Sequence, residues 1–262
     1  MTTLSYAVRD SAIMLRRDIR HALRYPLMSL GSVIVPVLFL LLFAGVFGRT
    51  LRAGLGAAVP ASGGYVDYLT PGILVMTACS SAETTAVNMS MDMTEGIIAR
   101  FRTMAISRTS VLTGQVLGGL IRAMISAILV VAVALALGCR PTATAIEWAG
   151  ATALFALLAL AVTWLTVSFG LLARTPAGAN SLSLLIVVAP FVSSAFVPAA
   201  TMPAGVAWFA RNQPFTPIIQ TLRGLLTGTA IGHDAILAVA WSAAIAVAGY
   251  LWARSLYNRN RA

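Results

Sequence analysis

The sequence predicts an all-helical protein that crosses a membrane six times. Six apolar runs begin near Met28, Leu69, Val111, Trp148, Ala177 and Ala235. Each approaches or exceeds the roughly 20 residues that a helix needs to span the hydrocarbon. The 262 residues are 59% hydrophobic and only 10% charged, with mean hydropathy +0.88, where a soluble domain carries about 25% charged residues. The loops between the runs are short and marked by arginine.

The elements follow in order. Over 4–24, Leu4, Val8, Ala12, Leu15, Ile19 and Leu23 recur at steps of three or four and share one helical face. Arg9, Arg16, Arg17, Arg20 and Arg24 fall largely elsewhere. This is a basic amphipathic helix, suited to the membrane interface with its arginines among lipid phosphates. A solvated cytoplasmic helix is the alternative. Pro26 ends it. The first span covers 28–48, with Pro36 as its expected kink. A loop rich in Gly and Ala follows over 49–67. Thr70-Pro71 reads as the N-cap and first helical residue of the second span, 69–91. That span is the most polar, with Thr77, Ser80, Ser81, Glu83, Thr84, Thr85 and Asn88. A charged stretch over 92–110 precedes the third span, 111–138, which Gly138 and Arg140-Pro141 close. The fourth span is 148–172. A short turn at Arg174-Thr175-Pro176 leads to the fifth, 177–197. The longest loop, 198–233, holds Pro198, Pro203, Pro214 and Pro217, yet is too apolar for a free linker. The sixth span is 235–253, with a short basic tail. No internal repeat and no low-complexity region interrupt the chain, so one membrane domain over 1–262 is expected.

Arginine orients the spans. All 18 basic residues are arginine. With both termini cytoplasmic, twelve lie inside, five outside and Arg122 within a span, the asymmetry that cytoplasmic loops show. An even number of spans requires the termini to agree. The first apolar run starts late, is long for a signal segment and lacks a small-residue cleavage site, so it reads as a retained span. The formal net charge of +10 is explained by such loops and lipid headgroups, and no nucleic-acid partner is expected. Cys79 and Cys139 read as small core residues rather than a disulfide or metal pair.

The absence of lysine rules out a Walker A loop, which needs one to hold the terminal phosphates. There is no HExxH and no GxSxG, and His21 and His233 flank the membrane on opposite sides. Asp92 lies at a span end, so no pair of intramembrane aspartates exists. Catalytic residues, metal ligands and a bound cofactor are therefore not expected of this chain. Glu83 and Arg122 are the ionisable residues inside apolar helices. An intramembrane arginine is costly and needs a partner or water. Their depths match on antiparallel spans, so they are expected to pair, either fixing helix register or, with Asn88, lining a path. Met76, Met89, Met91 and Met93 suit varied apolar cargo or simple helix packing.

Between the second and third spans, Ile97, Ile98, Phe101 and Met104 form one apolar face beside Arg100 and Arg102. A short amphipathic helix there suits docking into a groove of another protein or packing on the membrane surface. Glu95-Gly96 with Arg100-Phe101-Arg102 and Ser107-Arg108 resembles the cytoplasmic loop of type-2 ABC exporter permeases. The late loop adds Phe196-Val197-Pro198, Met202-Pro203, Asn212-Gln213-Pro214-Phe215-Thr216-Pro217, Leu222-Arg223-Gly224-Leu225 and Gly228. This order is similar to the daunorubicin/doxorubicin-resistance branch, and the resemblance covers essentially the whole chain.

The resemblance implies a bacterial plasma-membrane permease that pairs with a second copy or close paralogue and binds two copies of an ABC ATPase. ATP and Mg would be held by that partner. A coupling helix over 95–104, with Glu95, Gly96, Ile97, Arg100, Phe101 and Arg102, would receive the ATPase motion. The helix over 4–24 would also pack near the ATPase. The segment 198–228 would form short extracellular re-entrant helices, with Pro198, Pro203, Asn212, Pro214 and Arg223 at the outer gate. Irregular backbone at membrane depth is tolerated where protein or a watery cavity covers it. Export of a drug or antibiotic is the implied function, with a cell-envelope lipid or glycan as the alternative. An ATP-independent secondary transporter would show repeat symmetry and broken helices in matching halves, and a membrane enzyme would need the missing catalytic groups.

Overall fold

A computed structural model describes residues 26–46, 48, 64–94, 108–173 and 175–259. The expected interfacial helix 4–24, the coupling helix 95–104 and most of the loop 49–67 lie outside the described residues. Within them the fold is all-helical. Helix α1 spans Pro26–Leu41 and continues as a π-helical turn, Leu42–Val46. Helices α2 (Tyr65–Thr94), α3 (Arg108–Ala136) and α4 (Ala145–Leu172) follow. Helix α5, Pro176–Val188, runs into a 3₁₀ turn, Ala189–Val192. After a second 3₁₀ turn, Ala199–Thr201, come α6 (Ala204–Asn212), α7 (Phe215–Thr227) and α8 (Asp234–Arg259).

Three helices are long and apolar enough to cross a membrane: Leu112–Ala136, Ala145–Leu172 and Asp234–Tyr257. They agree closely with the expected third, fourth and sixth spans. The first and fifth runs form shorter apolar helices, Val33–Val46 and Pro176–Val192. The fifth run stops early as a regular helix because Pro190 cannot donate a helical hydrogen bond and 3₁₀ geometry takes over.

The second run differs in kind. Helix α2 is the longest described, at 30 residues, yet is too polar to count as an apolar span. Its setting explains this. It packs against α1, α3, α4, α5 and α7, and most of its side chains are buried. Its polar groups are met inside the protein: Thr77, Thr84 and Thr85 each donate to the carbonyl one turn earlier. The expected N-cap at Thr70 is replaced by an earlier start at Tyr65. Asp67 Oδ2 accepts the Gly64 N–H at 2.8 Å and Oδ1 accepts the Arg140 N–H at 2.8 Å. Thr70 instead donates back to Val66 O, and Pro71 sits inside the helix.

Helix α4 also starts earlier than 148. Thr144 accepts from Glu147 N while Glu147 accepts from Thr144 N, a reciprocal capping box. Thr175 caps α5 through Gly178 N, with Pro176 at the first helical position. Gly228, at φ +68°, ends α7 in the left-handed region open to glycine. Helix α8 lies along α4, where a Cβ at Gly249 would come within 2.7 Å of Leu165 N. Ser168 Oγ bonds Gly249 O there at 3.1 Å, the close small-residue packing that joins helices where the hydrophobic effect between them is weak.

The main core surrounds α2 and α4. A second cluster gathers Met89, Leu112, Val116, Trp164, Val167, Leu171, Ala253 and Tyr257 near the turn of the α2–α3 hairpin. The start of α1 and the end of α8 lie towards this end. The start of α2, the turn after α5, and α7 lie at the other. Cys79 and Cys139 are both buried free thiols, as expected.

Candidate functional site

One polar cluster is built on the segment after α5. Pro190 breaks the helix, and residues 193–196 turn back against the start of α2. The approach is close: a Cβ at Gly72 would fall 2.7 Å from that of Ala195. Such a turn leaves carbonyls without helical partners, and side chains of α2 and α7 satisfy them. Tyr68 Oη donates to Ser194 O at 3.2 Å, and Tyr65 Oη to Phe196 O at 3.2 Å. Arg223 of α7 completes the cluster. Its Nε and Nη2 donate to Tyr68 O at 3.3 and 3.1 Å, and Nη2 donates to Ser194 O at 3.0 Å. The guanidinium carbon lies 3.7 Å from the centre of the Tyr68 ring, a cation–π contact. Gln213 Nε2 reaches Val192 O at 2.8 Å, and Ser194 N donates to Thr216 Oγ1 at 3.4 Å. One arginine thus ties three pieces of chain through main-chain acceptors.

Of the expected gate residues, only Arg223 joins this cluster. Pro214 is the N-cap residue of α7, Pro203 that of α6 and Pro198 that of the 3₁₀ turn. Their role here is to start helices. Asn212 is exposed and donates to Trp208 O of its own helix. Tyr65, Tyr68 and Ser194 belong to no motif in the sequence, whereas Gln213 and Thr216 stand in the late-loop motif with no role attached to them. The two tyrosines leave a local signal, as amphipathic aromatics at the head of an apolar run.

Beside the cluster, four phenylalanines meet. Phe39 lies 5.2 Å from Phe191 edge-on, Phe43 lies 4.7 Å from Phe196, and Phe191 stacks on Phe196 at 5.2 Å. Phe43 sits on the π-helical turn and Phe191 on the 3₁₀ turn. Two apolar helices lose regular geometry where their aromatic side chains converge, and π-turns are often found at functional sites.

Lower in the bundle, Asp92 Oδ2 accepts from Gln115 Nε2, and Gly119 packs on Thr85 and Thr163. Glu83 of α2 and Arg122 of α3 are both half-buried, as is Asn88. Met76 and Met89 are fully buried core members and Met93 packs against the second cluster, so these three fill space between helices. Glu95, Gly96, Ile97, Arg100, Phe101 and Arg102 lie outside the described residues. Between α3 and α4, Cys139 touches Thr70 Oγ1 at 3.9 Å. Burial and then the Asp67 carboxylate push its thiol up to about 12. Among the described residues no group of three or more His, Cys, Asp or Glu could hold a metal.

The pattern that defines the ABC-2 type transporter family matches residues 10–227. The chain is 26% identical to a daunorubicin resistance ABC transporter permease of Streptomyces coeruleorubidus over 238 residues, 90% of this chain and 82% of that protein. It is 22% identical to a probable doxorubicin resistance ABC transporter permease of Mycobacterium tuberculosis over 223 residues, 83% of this chain and 77% of that one. It is also 25% identical to a putative transport permease of Porphyra purpurea over 241 residues, 89% of this chain and 80% of the relative. With this match over most of its length, and no lysine for a phosphate loop, the chain belongs to the ABC-2 type transporter family as a multi-pass membrane permease without an ATPase site of its own.

Proposed function

We propose that this permease is the transmembrane half of an ATP-driven exporter that moves hydrophobic or amphipathic compounds, drugs or antibiotics foremost, out of the cell. The aromatic cluster carries the reading. Phe39 and Phe43 of the first run meet Phe191 and Phe196 of the fifth beneath a cap tied down by Arg223. Flat apolar cargo suits such rings, which pack against aromatic faces and edges. The drug-resistance names of two relatives agree with that cargo class.

In this reading one domain over 1–262 makes six crossings: 28–48, 69–91, 111–138, 148–172, 177–197 and 235–253. Both termini face the cytoplasm in a bacterial plasma membrane. The helix 4–24 lies in the interface, and 198–228 forms the extracellular re-entrant cap. Residues 95–104 meet an ATPase present in two copies that holds ATP and Mg, and a second permease copy completes the path. Glu83 and Arg122 pair across α2 and α3, directly or through water, with Asn88 nearby.

Inside-out vesicles containing this chain and its partner ATPase test the reading. ATP should drive uptake of daunorubicin, and disabling nucleotide hydrolysis in the partner should abolish it. Uptake that persists without hydrolysis overturns the exporter assignment. ATP-driven movement of an envelope lipid or glycan instead of drug would transfer the cargo to that alternative class.

A further inference from the structure

The α2–α3 hairpin holds a hydrogen bond that the path and its cap do not use. Gln115 is 3% exposed, and its Nε2 donates to Asp92 Oδ2 at 2.6 Å. A bond of this length to a carboxylate is charge-assisted and stronger than a neutral one, the more so away from water. It joins the last turns of α2 to the early turns of α3, at the base of the segment 95–107. Met89 lies one turn from Asp92, and Leu112 and Val116 flank Gln115. The same cluster continues to Trp164, Val167 and Leu171 of α4 and to Ala253 and Tyr257 of α8.

A buried amide is a costly choice at this position. Gln115 Oε1 accepts no hydrogen bond among the described residues, and an unmet buried acceptor carries a desolvation penalty that leucine would avoid. Apolar packing alone lets two helices slide or splay. A directional bond between them fixes their relative position.

We infer that Asp92 and Gln115 are positioning residues whose bond makes α2 and α3 move as one lever. A push on the segment 95–107 then travels through the shared cluster to α4 and α8, and along α2 to the cap, instead of opening the hairpin. The inference rests on the reading of 95–104 as the ATPase contact.

The test uses the full complex in a chain freed of native thiols by Cys79→Ala and Cys139→Ser. One reporter, Ala204→Cys, sits on the exposed face of α6. Its alkylation by a membrane-impermeant maleimide should change rate when ATP and vanadate trap the ATPase. Gln115→Leu keeps the side-chain bulk and should erase that change while co-purification with the ATPase persists. Asp92→Asn with Gln115→Glu reverses donor and acceptor and should restore it. Daunorubicin moved per ATP hydrolysed should fall about two- to thirtyfold in Gln115→Leu, the span of 0.5–2 kcal/mol of coupling. A reporter that ignores nucleotide in the parent, or responds equally in Gln115→Leu, overturns the inference. Loss of co-purification in the parent overturns the reading of 95–104 as well, which separates the two failures.

Discussion

Arg223 holds the turn after α5 to the start of α2 by main-chain oxygens, and this decides what its replacement costs. Arg223→Met removes the donors that serve Tyr68 O and Ser194 O. Hydrogen bonds to a charged group contribute roughly 1.5–3 kcal/mol, so the thermal midpoint in detergent should fall visibly. Arg223→Lys should recover only part of it, because ammonium lacks the planar fork that reaches both carbonyls. The chemistry of Cys139 gives a second measurement. Its thiol is pushed up to about 12 by burial and the nearby Asp67 carboxylate, so the reactive thiolate stays scarce at neutral pH. In a Cys79→Ala chain, alkylation should keep rising about tenfold per pH unit beyond pH 9, where an ordinary thiol levels off. Folding linkage has the matching sign: a raised pKa means that stability is held below the unfolded thiol value and declines as pH climbs towards 12. A plateau near pH 9 would show that this thiol is not shielded. Arg223 is legible in the sequence through the Leu222-Arg223-Gly224-Leu225 motif that carries the family resemblance. Its partners are not, since backbone carbonyls and residues more than 100 positions away leave no local pattern.

Among the helices, apolar length was the readable quantity. The third, fourth and sixth runs match helices within a few residues because hydrophobic length fixes a span directly. Boundaries set by one side chain were misplaced. The Thr144–Glu147 box moves the start of α4, Asp67 moves the start of α2, and Pro190 shortens α5. The first of these was legible as a Thr-x-x-Glu spacing. The second was not, because Asp67 also answers to Arg140 N across the fold. Thr144→Ala should cost about 1 kcal/mol, the usual loss for an N-cap, seen as a modest drop in the thermal midpoint. Gly249→Leu is predicted to be far worse. Its side chain would drive into the α4 backbone at Trp164 and Leu165, and the yield of monodisperse protein should collapse. Recovery of a well-behaved Gly249→Leu protein would show that α8 is free to move off α4.

At the scale of the whole molecule, the most polar of the six expected spans is the most enclosed. Helix α2 is wrapped by α1, α3, α4, α5 and α7, while α8 meets mainly α4 and α7 and leaves much of its apolar surface outward. The bundle is therefore ordered from a polar centre to a greasy rim. Sequence reading recognised the polarity of α2 but not its central place, because enclosure depends on contacts made by helices both before and after it. That place has a consequence for how the protein is made. During synthesis α2 leaves the ribosome before α3, α4 and α5 exist to surround it, and with Asp67, Glu83 and Asp92 it is a poor guest for bare lipid. Its entry must wait, held at the insertion machinery or the interface, until the apolar α3 offers a companion. A nascent chain halted after residue 107 should leave α2 extractable by alkali or exposed to protease. One halted after residue 172 should carry it safely inside. Birth order and final depth are opposed in this protein, and the strongly apolar α3 and α4 act as escorts for the helix they will enclose.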